Sequence, residues 1–144
     1  MTSDDNSYDL DTVKGLNCSA PFNKWCGLDV LRAANGEAEL QFAWKEDLGQ
    51  YAGFLHAGLI AAALDTACGF AAVTTSGRVT ASHFSMSCYE PGKGDFFSVI
   101  GRVVRAGKRQ VFTQAELFGH GKGGERRLIA SGEAILLKIP EQAR

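Results

Sequence analysis

A histidine and an aspartate stand in the most apolar stretch of the chain. The segment "LHAGLIAAALDTACGFAAV", residues 55–73, consists almost wholly of small and aliphatic side chains, yet it carries His56 near its start and Asp65 in its middle. Burial of a carboxylate is costly unless something compensates it. On a helix, Ala61 and Gly69 would occupy the positions four residues before and after Asp65, so no basic side chain there neutralises it. Such a carboxylate should have a raised pKa, as expected of a catalytic acid, base or nucleophile; alternatively, it bonds an amide or a hydroxyl inside the core.

The residues that follow His56 predict a site for a developing negative charge. If a helix begins near Ala57, the amides of Ala57, Gly58 and Leu59 have no acceptor within the helix and point outward at the positive end of its dipole. Those amides would form an oxyanion hole, and Gly58 would let a ligand approach the backbone closely. The competing interpretations are that Gly58 only eases packing and that His56 caps or satisfies the preceding loop.

The predicted helix keeps these two features apart within one chain. Ala57 and Asp65 are eight residues apart, which on a helix is about 12 Å along the axis and roughly 80° in azimuth. One chain cannot easily bring both to one small electrophile. Two chains with these helices side by side and antiparallel would place the helix start of one opposite Asp65 of the other, creating two equivalent sites.

The elements that must position these groups follow from periodicity and turn chemistry. A long helix is predicted from Ala57 to about Thr75, because alanine and leucine dominate it, no proline interrupts it and Gly77 follows it. A weak short helix is predicted in "YDLDTVKGL", a loop or single turn in "APFNKWCG", and two short strands on either side of Asn35-Gly36. Four more strands are predicted in "RVTASHFSMSCYE", "DFFSVIGRVVRAG", "KRQVFTQAELFGH" and "ERRLIASGEAILLKI". The predicted fold class is therefore α+β, with a six-stranded antiparallel sheet curved around one buried helix.

Composition excludes several classes of function. The chain has 144 residues, 45% hydrophobic and 22% charged, with a net charge of −1, which is typical of one globular domain and gives no basic surplus for nucleic acid. The four cysteines form no CxxC pair and no zinc-ligand spacing, so we expect reduced, mostly buried thiols and no metal. The acidic start "MTSDDNSYDLDT" lacks the pattern of a signal peptide, and Asp65 argues against a membrane span. We expect disorder over residues 1–7, a single domain over residues 8–140, a cytoplasmic location, and no nucleic-acid or membrane partner.

Three segments of the chain together resemble one family of enzymes. The segments "GFLHAGLIAAALDTACGFAA", "HFSMSCYEPGKGD" and "GRVVRAGKRQVFTQAEL" are similar to the hotdog-fold acyl-CoA thioesterases, in particular the branch typified by the phenylacetate-pathway thioesterases. The resemblance covers about residues 25–138. The family motif is His-Gly-Gly at the helix start with an aspartate nine residues after the histidine, and His56 and Asp65 keep that spacing. Ala57 replaces the first glycine of the motif, but it retains the backbone N–H on which the family's function depends.

The resemblance implies roles for further residues. The family has a polar residue, usually Asn or Gln, six positions before the histidine, where it helps hold the water or the carbonyl, and Gln50 occupies that place. A serine or threonine on the strand after the helix often assists the carboxylate, but Ala81 stands there, so this helper is missing or displaced to Thr80 or Ser82. By alternation His83 shares a face with Ala81, where it either lines the site or belongs to the sheet surface.

Binding of CoA would require positive charge near its phosphates. Arg105, Lys108 and Arg109 cluster at one predicted hairpin and are the first candidates for that role, although a solvated charge is the simpler interpretation of each.

These features predict a homodimer, and the resemblance implies a homotetramer that hydrolyses aryl or medium- to long-chain acyl-CoA to the free acid and CoA without a cofactor. The amides of Ala57 and Gly58 would polarise the thioester carbonyl, Asp65 of the facing chain would activate water or attack directly, and Gln50 and His56 would position the reactants. A non-catalytic acyl-CoA binding or sensing protein is the alternative, and a hotdog dehydratase or hydratase ranks behind both.

Overall fold

The computed structural model describes residues 7–140. The segment predicted to be disordered lies outside this range except for Ser7, which is exposed and belongs to no regular element. The helices and strands are, in chain order, α1 (Leu10–Ser19), α2 (Pro21–Cys26), β1 (Asp29–Ala34), β2 (Glu37–Ala43), α3 (Ala57–Ser76), β3 (Val79–Cys88), β4 (Phe96–Ala106), β5 (Gln110–His120) and β6 (Arg126–Lys138). The long helix and all six strands are confirmed, whereas the single-domain assignment over residues 8–140 stays a prediction.

The Asn35-Gly36 pair closes the hairpin between β1 and β2, as its chemistry predicts. Both residues have positive φ, 55° and 80°, as a type I′ turn requires. The Gly36 N–H donates to Thr74 Oγ1 at 2.7 Å. Because Thr74 lies in the last turns of α3, this bond ties the hairpin to the end of the central helix.

All six strands form one antiparallel sheet in the order β1-β2-β4-β5-β6-β3. α3 packs against every strand of this sheet. The approach is close at Gly101 of β4, where a Cβ atom would lie 2.6 Å from the carbonyl carbon of Ala67 in α3. The predicted α+β class, a six-stranded antiparallel sheet with one long central helix, is therefore confirmed.

One face of α3 is left uncovered by the sheet. The half-buried residues Ala62, Asp65, Thr66, Gly69 and Phe70 recur at spacings of three and four, so they lie along one side of the helix. β3 is one of the two edge strands of the sheet, and most of its residues are exposed. The uncovered helix face and this free edge give the fold a surface on which a second copy could pack.

Helix α3 is the one element among residues 7–140 whose length and composition bear on the expectation of no membrane span. Its 20 residues are long and apolar enough to cross a bilayer by length and composition, and half of its most apolar window is buried inside the fold. Length therefore does not argue against a span, whereas packing of the helix against the sheet does. The absence of a membrane partner stays a prediction.

The segment expected to be a loop or a single turn forms the helix α2 instead. Pro21 begins the helix and Gly27 ends it with φ of 75°, so a proline start and a glycine stop define six helical residues. A run this short shows no periodicity in the sequence, which is why the loop interpretation was wrong.

All four cysteines are unpaired, but only two of them are buried. Cys26 and Cys68 lie in the core while Cys18 and Cys88 are exposed, so the expectation of mostly buried thiols is wrong for half of them. Burial raises the pKa of Cys68 to about 11, which keeps that thiol protonated. Residues 7–140 contain no group of three or more His, Cys, Asp or Glu side chains that could hold a metal ion.

Candidate active site

His56 is the N-cap of helix α3. Its Nδ1 accepts a hydrogen bond from the Gly58 N–H at 2.8 Å, and its carbonyl accepts from the N–H groups of Leu59 and Ile60. Because Nδ1 is an acceptor, the proton of the neutral ring is on Nε2. Capping was one of the two roles considered for His56, and the exposed ring still has Nε2–H to offer a ligand.

The cap engages one of the amides predicted to form an oxyanion hole. The Gly58 N–H is donated to His56, and a Cβ at position 58 would lie 3.0 Å from His56 Nδ1, so this glycine makes room for the imidazole. The prediction that the Gly58 amide polarises a carbonyl is corrected accordingly. The Ala57 N–H has no acceptor among residues 7–140. It is therefore the amide that the positive end of α3 offers to an anionic oxygen.

Gln50 belongs to a hydrogen-bonded loop that precedes the helix. Its Oε1 accepts from the Ala52 N–H, while its backbone N–H donates to the Phe54 carbonyl at 2.8 Å. The His56 N–H donates to the Leu48 carbonyl at 3.0 Å and fixes the loop against the start of α3. The side-chain oxygen of Gln50 thus accepts a bond inside the loop, while its amide nitrogen has no partner among residues 7–140.

Asp65 lies on the uncovered face of α3, at the wall of an open cavity of about 490 Å³. This cavity, called the Asp65 cavity below, is also lined by Asn23, Phe70, Thr80 and Ala81. The half-buried carboxyl makes no hydrogen bond or ion pair with any residue from 7 to 140. Burial alone raises its pKa above the ordinary 3.8. The alternative in which Asp65 bonds a core amide or hydroxyl therefore does not apply.

A bulge in β3 changes which side chains face this cavity. Ala81 pairs with Leu136 whereas His83 pairs with Ile135, so β3 has one residue, Ser82, more than its partner strand at this point. An extra residue reverses the alternation of faces beyond it. His83 lies on the outer face of the sheet in a separate cavity, and the prediction that it shares a face with Ala81 is wrong.

Neither hydroxyl considered for the missing helper bonds Asp65 in this structure. Ser82 Oγ donates to the Ile135 carbonyl at 3.1 Å, so it is engaged within the bulge. Thr80 and Ala81 line the Asp65 cavity together. Because Thr80 pairs with Leu137 and Ala81 with Leu136, their side chains alternate across the sheet, and the Thr80 hydroxyl lies on the face opposite to Ala81.

The three basic residues considered for CoA lie around one hairpin, as predicted. Arg105 is near the end of β4, and Lys108 and Arg109 are in the turn to β5; all three are exposed. Arg105 lines the outer-face cavity with His83 and does not line the Asp65 cavity. Within one chain these charges are not brought to the carboxylate.

A second open cavity of about 350 Å³ lies at the start of α3. This helix-start cavity is lined by His56, Gly58 and Ala62 of the helix region and by Phe22 and Trp25 of α2. The two aromatic rings are 5.8 Å apart and more than two-fifths exposed. Sequence reasoning missed them because it assigned α2 to a loop. Exposed aromatic rings beside a cavity provide apolar surface for a ligand.

The start of α3 and the Asp65 cavity offer groups of complementary chemistry. The helix start offers the Ala57 N–H to an oxyanion, and the Asp65 cavity offers a carboxylate that can accept a proton. Ala57 and Asp65 lie on one continuous helix, about 12 Å apart along its axis. Neither cavity of a single chain contains both groups.

Comparison with known proteins gives a match over half of the chain. The model of the family described as "Thioesterase superfamily" matches residues 52–123, a range that includes both His56 and Asp65.

Similar proteins carry related descriptions. A thioesterase family protein from Silicibacter pomeroyi is 29% identical, with a TM-score of 0.82 over 87% of this chain and 93% of that one. A Shewanella oneidensis protein related to the thioesterase superfamily is 26% identical, with a TM-score of 0.76 over 90% of this chain and 95% of that one. A provisionally named esterase from Sulfurisphaera tokodaii is 29% identical over 113 residues, which are 78% of this chain and 82% of the relative.

Proposed function

The chain belongs to the thioesterase superfamily, and from this membership we propose that it hydrolyses acyl-CoA thioesters to the free acid and CoA. The observation that carries the proposal is Asp65, a half-buried carboxyl with a raised pKa and no partner among residues 7–140, at the wall of an open cavity. Water becomes an effective nucleophile when a base of this kind accepts its proton.

The site that we propose is shared by two copies of the chain. If two α3 helices pack antiparallel with their uncovered faces together, the helix-start cavity of one copy meets the Asp65 cavity of the other. The free edge at β3, next to the Asp65 cavity, supports the same contact. A two-fold axis then generates two identical sites, each with the Ala57 N–H of one copy and Asp65 of the other.

The proposed reaction needs one proton acceptor and one oxyanion donor. The thioester carbonyl oxygen accepts a hydrogen bond from the Ala57 N–H. Asp65 takes a proton from water, and the water oxygen forms a bond to the carbonyl carbon. The C–S bond then breaks, and the proton held by Asp65 passes to the CoA sulfur. The amide nitrogen of Gln50 and the Nε2–H of His56 position the substrate.

Direct attack by Asp65 on the thioester is a second route to the same products. In that route a carboxylate oxygen attacks the carbonyl carbon, the C–S bond breaks, and CoA leaves as a thiolate that takes a proton from solvent. Water then hydrolyses the resulting mixed anhydride to the free acid and the regenerated carboxylate. Single-turnover hydrolysis in oxygen-18 water distinguishes the routes. Label found in Asp65 after one turnover would exclude the simple general-base route.

Several finer features belong to the same proposal. The phenylacetate-pathway branch implies aryl acyl groups, for which Phe22 and Trp25 supply a suitable surface. We further propose a cytoplasmic homotetramer that needs no cofactor. Arg105, Lys108 and Arg109 remain the proposed contacts for the CoA phosphates, reaching a site formed with another copy.

Thiol release from a panel of acyl-CoAs, by the wild type and by Asp65→Asn, tests the proposal. Loss of the base should lower kcat by about 10²–10⁴-fold on the preferred substrate. Equal rates for the two proteins would remove Asp65 from the mechanism. A wild type that binds acyl-CoA but releases no thiol would favour the non-catalytic binding protein, an alternative that alanine at positions 57 and 81 also favours.

A further inference from the structure

Two buried asparagines form a directed hydrogen-bond chain beside the Asp65 cavity. Asn17 Nδ2 donates to the Leu28 carbonyl at 2.8 Å, and Asn23 Nδ2 donates to Asn17 Oδ1 at 3.0 Å. The Leu28 carbonyl can only accept, so Asn17 must present its nitrogen to Leu28 and its oxygen to Asn23. Asn23 must then use its own nitrogen. The chain of bonds therefore fixes which way both amides lie.

The side-chain oxygen of Asn23 is left without a donor. Asn23 is only 8% exposed, it lines the Asp65 cavity, and its Oδ1 accepts no hydrogen bond from residues 7–140. Fully enclosed side-chain oxygen and nitrogen atoms in this part of the chain all have partners. The small exposed part of Asn23 thus includes Oδ1, which opens into the cavity as a rigidly held acceptor.

A fixed acceptor beside Asp65 matches what an attacking water requires. Water has two protons, of which the Asp65 carboxylate accepts one. The second proton needs another acceptor if the oxygen lone pair is to be aimed at the thioester carbon. Gln50 Oε1 is already engaged by Ala52, and the side chain of Ala81 has no polar atom. Asn23 Oδ1 is free to accept this proton.

We propose that Asn23 holds the hydrolytic water against Asp65 of the same chain. This inference rests on the proposed thioester hydrolysis and assigns the water site within it. Asn23 contacts the water rather than the acyl group or CoA, so its removal should slow attack without weakening substrate binding. The prediction is a lower kcat with an unchanged KM.

The test uses Asn23→Ala with Lys24→Ala as the matched control from the exposed side of the same helix. Kinetics are measured with the acyl-CoA that the wild type hydrolyses fastest, and thermal unfolding is followed for each protein. Losing one hydrogen bond to the attacking water should lower kcat about tenfold and leave KM within about twofold. The Lys24 variant should match the wild type in both constants.

A second readout separates water positioning from a merely structural role. With hydroxylamine added, an amine nucleophile competes with water, and the ratio of hydroxamate to acid reports how well water is held. We expect this ratio to rise about tenfold in Asn23→Ala, in step with the loss of water attack. If Asn23→Ala does not fold, Asn23→Ser is used instead. Because the serine side chain is too short to reach the same water, the ratio of hydroxamate to acid must rise in this variant as well.

The outcomes distinguish the role of Asn23 from the proposed thioester hydrolysis on which it rests. A kcat within twofold of the wild type, or an unchanged product ratio in a folded Asn23 variant, overturns the role of Asn23 and leaves thioester hydrolysis intact. A wild type that releases no thiol from any acyl-CoA overturns the proposed function itself.

Discussion

Replacing Ala57 by proline should remove most turnover without unfolding the protein. The substitution deletes an N–H that has no acceptor among residues 7–140, so no hydrogen bond of the fold is lost. Proline is well tolerated at the first helical position. The preceding residue, His56, has ψ of 135°, the extended backbone that a residue before proline prefers. Position 57 is exposed, so the ring meets no buried atoms.

The expected loss is that of one oxyanion-hole donor. Removal of such a donor lowers kcat by about 10²–10³-fold, which corresponds to about 2.7–4 kcal/mol of transition-state stabilisation. No neighbouring amide replaces it, because the Gly58 N–H is donated to His56. The free energy of unfolding should change by less than about 1 kcal/mol, since neither packing nor hydrogen bonding changes.

Thiol release over a range of acyl-CoA concentrations gives kcat and KM, and circular dichroism gives the melting temperature. The matched control Ala57→Gly keeps the N–H and should retain kcat within about threefold. A folded proline variant with more than a tenth of the wild-type kcat would refute the assignment of the Ala57 amide as the oxyanion donor. A raised KM with unchanged kcat would mean that the amide binds substrate and transition state equally.

The remaining predictions concern the stability of variants at Asp65 and Gly101 and the activity of a variant at His83. Burial raises the pKa of Asp65 above 3.8, so ionisation of this carboxyl destabilises the fold as pH rises through the folded-state pKa. The variant Asp65→Asn cannot ionise and should therefore have a higher melting temperature than the wild type at neutral pH. The difference should shrink as pH falls toward 3.8. Gly101→Ala should lower the free energy of unfolding by about 1–3 kcal/mol in denaturant titrations. Its new Cβ would lie 2.6 Å from the Ala67 carbonyl carbon, whereas Gly15→Ala, with open space around its Cβ, should not destabilise. His83→Ala should leave kcat/KM within about twofold, because His83 lies on the outer face of the sheet.

Each of these predictions has an outcome that contradicts it. An Asp65→Asn variant that melts below the wild type at neutral pH would mean that the carboxylate has a stabilising partner. Unchanged stability of Gly101→Ala would refute the close approach of α3 to β4. A large fall in kcat/KM for His83→Ala would place that side chain in the site after all.

Features with strong local chemistry were predictable from the sequence. Asn35-Gly36 specifies a tight hairpin because both positions need positive φ. The helix from Ala57 to Ser76 follows from a long run of alanine and leucine with glycine at its end. Asp65 could be singled out because no opposite charge lies one turn away in the sequence, and the structure gives it none.

Features that depend on one residue of register or on packing between distant segments were not predictable. The extra residue at Ser82 reverses the faces of β3, so simple alternation assigned His83 to the wrong side. The engagement of Gly58 depends on the rotamer of His56, which the sequence does not specify. No sequence pattern singled out Asn23, because its proposed role depends on the packing of α2 against α3 at the Asp65 cavity.

The account depends most on a site built from two copies, and mixing two inactive variants tests it directly. Ala57→Pro and Asp65→Asn are unfolded together in equal amounts and refolded, so that half of the resulting dimers contain one chain of each kind. In such a dimer one site has lost both groups and the other has both intact. The mixture should therefore recover about one quarter of the wild-type activity per chain, although each variant alone is nearly inactive. A mixture no more active than its two components would contradict a shared site.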